Sequence, residues 1–207
     1  MNELQAKLSE LGEGLKAEYK ASRKAAMWNA VNAAKPEIEG ERYDKMFFTY
    51  KPYFMHPYAD VLKKAFVPSK KKEAEETGKG YYSGSLHDPL TYYGDEKVEA
   101  IIEKEAEYDT RMMFEAFVNK NLKKLAGVVK EEAKLSKVNG RVDSGLTGWM
   151  DFEMVDGRMF EMTFNVVTKV SSKGKWFQQF PTRFHNVVLA DGSKMKNASE
   201  AKMKKEF

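Results

Sequence analysis

With 207 residues, 42% of them hydrophobic and 32% charged, the chain is long enough to bury a real core beneath a heavily charged surface. Its 35 basic and 31 acidic groups leave a formal charge of only +4, so any case for a polyanionic partner rests on where the charges sit. Cysteine is absent, which excludes disulfides, thiolate metal sites and a cysteine nucleophile, and fits a reducing compartment. The opening MNELQAKLSELGEGLK has neither a basic n-region nor an apolar h-region. No apolar run approaches the roughly 18–20 residues that cross a bilayer. The expectation is a soluble, cytoplasmic protein with no membrane contact.

Residues 3–34 read as a helix. Leu4, Leu8, Leu11, Leu15 and Tyr19 form an apolar stripe that Ala26, Met27, Ala30 and Val31 continue. Gly12 and Gly14 each weaken its first half by about 1 kcal/mol relative to alanine. Lys16, Lys20, Arg23 and Lys24 cluster on this helix, either as a solvated face or as a phosphate-facing surface. Pro36 is expected to end it. The stripe also offers a short self-association seam.

Residues 43–93 are crowded with aromatic rings, including Tyr43, Phe47, Phe48, Tyr58, Tyr81, Tyr82, Tyr92 and Tyr93, and are broken by four prolines, Pro52, Pro57, Pro68 and Pro89. A loop-rich wrap with one short helix around Tyr58–Phe66 is expected, its rings serving as core margin or as a partner surface. The stretch 68–80 reads as an exposed, mobile loop. Lys79-Gly80 beside Tyr81 and Tyr82 lacks Walker spacing, so a nucleotide-binding P-loop is rejected.

The segment from Asp95 to about Val138 has no proline, one internal glycine at Gly127, and apolar residues at three- and four-residue steps. That spacing predicts a long amphipathic helix with a break near Gly127. From Asn139 the period becomes two. Asn139-Gly140, Asp156-Gly157, Ser171–Lys175 and Asp191-Gly192 read as turns between strands, with Met150, Phe152 and Met154 facing inward and Pro181 interrupting the last strand. A short basic helix capped by Ser199 closes the chain.

The fold class is therefore α+β: N-terminal helices including one long central helix, then a C-terminal antiparallel meander of three or four strands. Residues 1–138 form a helical region with an aromatic-rich insert, and 139–207 a sheet with a basic tail. Lys137–Arg141 marks the expected boundary.

Catalytic motifs are lacking. His56, His87 and His185 form no H-x-x-x-H pair, although His56 and Asp60 stand four apart and His87-Asp88 precedes a proline. Ser83, Ser85, Ser144, Ser171 and Ser172 lie outside any nucleophile elbow. Asp151, Glu153, Asp156 and Glu161 invite a metal-nuclease comparison, but Thr163 stands where such a site carries lysine. No catalytic residue, metal ligand set or cofactor is assigned.

Residues 169–207 hold nine lysines and arginines against Asp191, Glu200 and Glu206, an excess of +6 that leaves the other 168 residues at −2. Cations interleaved with rings are what a nucleic-acid surface needs. The candidate contacts are Lys169, Lys173, Lys175, Trp176, Arg183, Lys202, Lys204 and Lys205. The leading expectation is a non-enzymatic binding protein for nucleic acid or an acidic protein surface, with the general look of a small phage or mobile-element accessory protein. The alternatives are an assembly protein that forms homo-oligomers through its helical and aromatic regions, and a metal-dependent hydrolase using His56, His87 and nearby carboxylates.

Overall fold

The computed structural model describes residues 3–40, 56–79, 88–130 and 134–207, apart from the side chains at 37, 39 and 40. The expectations for the aromatic residues of 43–54, and for Tyr81, Tyr82, Ser83, Ser85 and His87, lie outside the described residues. Five helices are described: α1 (Glu3–Gly40), α2 (Ala59–Ala65), α3 (Ser69–Thr77), α4 (Asp95–Val128) and α5 (Glu200–Glu206). A small antiparallel pair joins β1 (Phe66–Pro68) to β2 (Leu90–Tyr92). The main antiparallel sheet runs β3 (Leu135–Asp143), β4 (Thr147–Met154), β5 (Met159–Asn165) and β8 (Thr182–Val188). Between β5 and β8 the chain leaves that sheet as a separate hairpin of β6 (Val167–Val170) and β7 (Trp176–Gln179). The fold is α+β.

Two compact units are each assembled from segments distant in sequence. The first comprises Met1–Tyr19, Thr110–Lys169 and Phe177–Phe207; the second comprises Lys20–Asp109 and Val170–Trp176. α1 and α4 contribute to both, and Lys137–Arg141, the expected boundary, lies within β3. No described helix is long and apolar enough to cross a membrane.

In the first unit, Leu4, Leu8, Leu11, Leu15 and Tyr19 of α1 join Met113, Phe117 and Leu125 of α4 beneath the inner face of the sheet. Met150, Phe152 and Met154 of β4 alternate inward with Phe160, Met162 and Phe164 of β5, as the period-two pattern predicts. Phe152 stacks on Phe160 at 4.4 Å, and Phe207 meets Phe160 edge-on at 5.0 Å. The leucine stripe is thus consumed by the chain's own core, so it is not displayed as a self-association seam. Gly12 lies where a Cβ would come within 2.8 Å of Phe114 Cδ2, so the helix tolerates the glycine in order to approach α4 closely.

Four local expectations are corrected. α1 does not stop before Pro36 but continues to Gly40, because Ala34 and Ile38 extend its buried stripe in the second unit. Burial there outweighs the backbone hydrogen bond that proline cannot donate. α4 ends at Val128, and residues 135–138, expected as its last turn, begin β3. A bulge between Leu135 and Lys137 resets the alternation, so Leu135, Val138 and Val142 all pack against the core. Asn139-Gly140 is not a turn either. It sits inside β3 opposite Asp151 and Met150, and a Cβ on Gly140 would lie 3.2 Å from Leu11 Cδ1. The actual turn uses Gly145 and Leu146, both at positive φ.

The fourth correction concerns 68–80, where Ser69–Thr77 form α3 instead of a loop. Lys71–Glu75 and Lys72–Glu76 pair at 3.8 Å along its surface, and Gly78 terminates it in the left-handed conformation (φ 63°). The second unit is otherwise built on Met27, Val31 and Ile38 of α1, Val61 and Leu62 of α2, Phe66 and Tyr92 of the small pair, and Val98 and Ile102 of α4.

Candidate functional site

The basic cluster on α1 finds its partners inside the protein. Lys20 reaches Glu103 and Glu107, each at 2.6 Å, and Lys24 reaches Glu99 at 2.7 Å and Glu103 at 2.8 Å. Hydrogen bonds from Lys20 and Lys24 hold the Glu103 carboxyl down at about 2, while the same contacts raise both lysines. These side chains are matched across two helices, so the phosphate-facing reading of this cluster has no support.

Arg23 goes further inward. Its guanidinium is buried and donates from Nε and Nη2 to Asp109 Oδ2 at 2.9 and 2.8 Å, and from Nη1 to Tyr58 Oη at 2.8 Å. The Trp176 ring lies over it at 4.2 Å and the Tyr58 ring at 4.9 Å. Burial pushes the Asp109 carboxyl above its ordinary range, although Arg23 opposes that shift. This node fixes two things: Tyr58, which caps the start of α2, and Trp176, at the tip of the β6–β7 hairpin.

What these anchored groups frame is a cleft of about 400 Å³ lined by His56, Asp60 and Lys63 from the α2 side and by Lys173, Lys175 and Trp176 from the hairpin tip. The tip is closed by backbone bonds from Ser171 N to Lys175 O (2.7 Å) and from Gly174 N to Ser171 O (2.9 Å), with Gly174 at φ 74°. That turn displays Lys173 and Lys175 on the surface, and among the described residues neither has an acidic partner. Asp60 is the one acid among the described lining residues. Burial lowers the His56 imidazole below its usual value. Its Nδ1 accepts the Tyr58 N–H at 3.1 Å, so the neutral ring carries its proton on Nε2.

Of the eight contacts expected from sequence, Lys173, Lys175 and Trp176 therefore share one cleft. The other five lie in the first unit. Lys169 is exposed on β6, and Arg183 is exposed on β8 opposite Thr163. Lys202, Lys204 and Lys205 are exposed on α5, whose start is capped by Ser199 as expected, and Lys204 pairs with Glu200 at 2.7 Å. His56, Asp60 and Lys63 had no spacing signal linking them to the hairpin.

The outer face of the main sheet carries a second polar constellation. Asn139, Asp151, Glu161 and His185 occupy successive register positions on β3, β4, β5 and β8. A cleft of about 230 Å³ is lined there by Lys137, Asp151, Glu161 and Asn186, among others. Asn186 donates to Glu161 Oε2 at 2.8 Å, and His185 Nε2 meets Thr163 Oγ1 at 3.0 Å. Burial, reinforced by Glu161, raises the Asp151 carboxyl. Such a carboxylate costs stability as pH rises through its elevated folded pKa. Asp151→Asn should therefore stabilise the protein at neutral pH by roughly 0.5 kcal/mol, with the gain vanishing below the unfolded carboxylate range. Thermal melts between pH 3 and pH 8 check it; a loss of stability at neutral pH would refute it.

Among the described residues, no group of three or more histidines and acids is placed to hold a metal ion. Compared with protein-family models, with curated proteins and with solved structures, the chain matches none of them.

Proposed function

We propose that this chain is a non-enzymatic protein that binds single-stranded nucleic acid in the cleft between the β6–β7 hairpin tip and the entry to α2. The observation that supports this reading is the pooling of Lys63, Lys173 and Lys175 beside Trp176 in one opening with a single opposing acid among the described lining residues. Lysines supply phosphate contacts and an aromatic ring supplies a stacking platform that tolerates any base. Trp176 is held in place by Arg23, so little of its freedom remains to be lost on binding. Lys169, Arg183, Lys202, Lys204 and Lys205 belong to the basic field that raises encounter rates.

The test is fluorescence anisotropy with labelled oligo(dT) and oligo(U) across a salt series. Each phosphate neutralised contributes about 0.7 to the slope of log affinity against log salt for a single strand. Lys173→Ala/Lys175→Ala should weaken binding and flatten that slope by about 1.4. Unchanged affinity and slope in a folded variant would overturn the assignment. Binding confined to an acidic polypeptide would shift it to a protein surface.

A further inference from the structure

The two edges of the main sheet are finished differently. β8 is partly closed by the chain that follows it: Met195 N–H donates to Val187 O at 3.0 Å, Leu189 N–H donates to Ser193 O at 2.9 Å, and Val188 bridges to Lys194. Asn186, at φ 47°, interrupts the regular geometry of that edge as well. β3 has no such cover. Among the described residues, the backbone groups of Lys137–Asp143 bond to β4 alone. Val138 and Val142 are correspondingly half-buried, whereas Phe152 and Gly148, opposite them on β4, are buried. An unpaired edge of this kind is a template for another strand.

The usable length of the β3 edge is set at one end by the bulge between Leu135 and Lys137, and at the other by the turn through Gly145 and Leu146. The straight run between them, Lys137–Asp143, has Gly140 at its centre. Laid antiparallel on a second copy about that centre, Lys137 falls opposite Asp143, Val138 opposite Val142 and Asn139 opposite Arg141, and every pair occurs twice. Arg141 already engages Asp143 at Oδ1 (3.1 Å), and the exposure of that carboxylate leaves it able to take a lysine as well. Neighbouring registers do not match: centring on Asn139 sets Lys137 against Arg141, and centring on Arg141 sets two guanidiniums face to face.

We propose that β3 pairs antiparallel with β3 of a second copy of this chain, centred on Gly140, so that two four-stranded sheets become one of eight strands. A purely acidic or purely basic peptide strand would satisfy half of this edge, because cation and anion stand at its opposite ends. The second copy satisfies both ends and covers the two half-buried valines. A contact between two strand edges buries less than the roughly 1,200 Å² of a standard interface, so the dimer is weak and concentration-dependent. It is independent of nucleic-acid binding at the hairpin tip.

The experiment is sedimentation equilibrium of the full chain from about 1 µM to about 1 mM, with charge reversals at the two ends of the pairing. Lys137→Glu sets carboxylate against carboxylate at both ends, and Asp143→Lys sets ammonium against ammonium. Each variant alone should associate at least about tenfold more weakly than the unsubstituted chain. An equimolar mixture of the two restores opposite charges at both ends, so it should return to within about threefold of the original affinity. Circular dichroism and the melting temperature establish that the variants are folded. If a reversal fails to fold, Lys137→Gln and Asp143→Asn serve in its place, each weakening association in the same direction. A chain that stays monomeric throughout, single variants that associate as well as the original, or a mixture of folded reversals that fails to recover each overturn the pairing.

Discussion

Replacing Asp109 with alanine should destabilise the protein by about 3–5 kcal/mol. The carboxylate accepts two hydrogen bonds from Arg23, which is only 2% exposed. Deleting it leaves a guanidinium buried with Tyr58 as its remaining hydrogen-bond partner among the contacts described above. The pair need not be strongly stabilising for its disruption to be costly. Burial lifts the Asp109 carboxyl despite the adjacent cation, which signals that desolvation consumes much of the attraction. The double variant Arg23→Met/Asp109→Leu should therefore recover most of the stability lost by Asp109→Ala. Urea denaturation measures both. If the single variant loses less than about 1 kcal/mol, the guanidinium has found water or another partner and the node is not the anchor described here.

Gly148→Ala should cost about 3 kcal/mol, the upper end for adding a methyl group to a packed interior. Gly148 lies on β4 facing inward. A Cβ there would sit 2.7 Å from the carbonyl oxygen of Arg141 on the neighbouring strand and would overlap Cζ of Phe164. The ring cannot retreat freely, because it packs edge-on against Phe117 at 5.0 Å, and the carbonyl belongs to the sheet backbone. Trimming the obstacle tests the cause: Phe164→Leu should relieve part of the clash, so the double variant should lose less than the sum of the two single losses. Strict additivity would show that the backbone carbonyl alone is responsible.

The inner faces of β4 and β5 are readable from sequence because Met150, Phe152 and Met154 alternate with charged neighbours, and a sheet with one dry side requires that alternation. α5 is readable because Ser199 is followed by a short basic run, and cap chemistry is local. Gly140 is misleading for the opposite reason. Asn-Gly has the local character of a turn, whereas a Cβ on Gly140 is crowded by the carbonyl oxygen of Trp149 on the paired strand and by Leu11, a side chain far away in sequence. α3 is hidden because its Lys-Glu pairs stabilise a helix with no buried side chain, so no apolar period marks it. The candidate site is legible in the same partial way. Lys173, Lys175 and Trp176 stand together in sequence, but nothing local connects them to Lys63 or His56. That connection is made by the Arg23 node, whose members come from α1, α4, the α2 entry and the hairpin tip.

The interlacing of the two units has a consequence for how the chain is made. Residues 4–15 leave the ribosome long before the strands that cover them, and the last residues of α5 complete the same core. During synthesis, Leu4, Leu8, Leu11 and Leu15 face water or a holding chaperone, and closing the sheet over them requires a long loop to be drawn in late. Folding of the first unit is thus expected to wait until residues 200–207 are available and to be slow for a chain so rich in helix, governed by its most distant contacts and not by its helices.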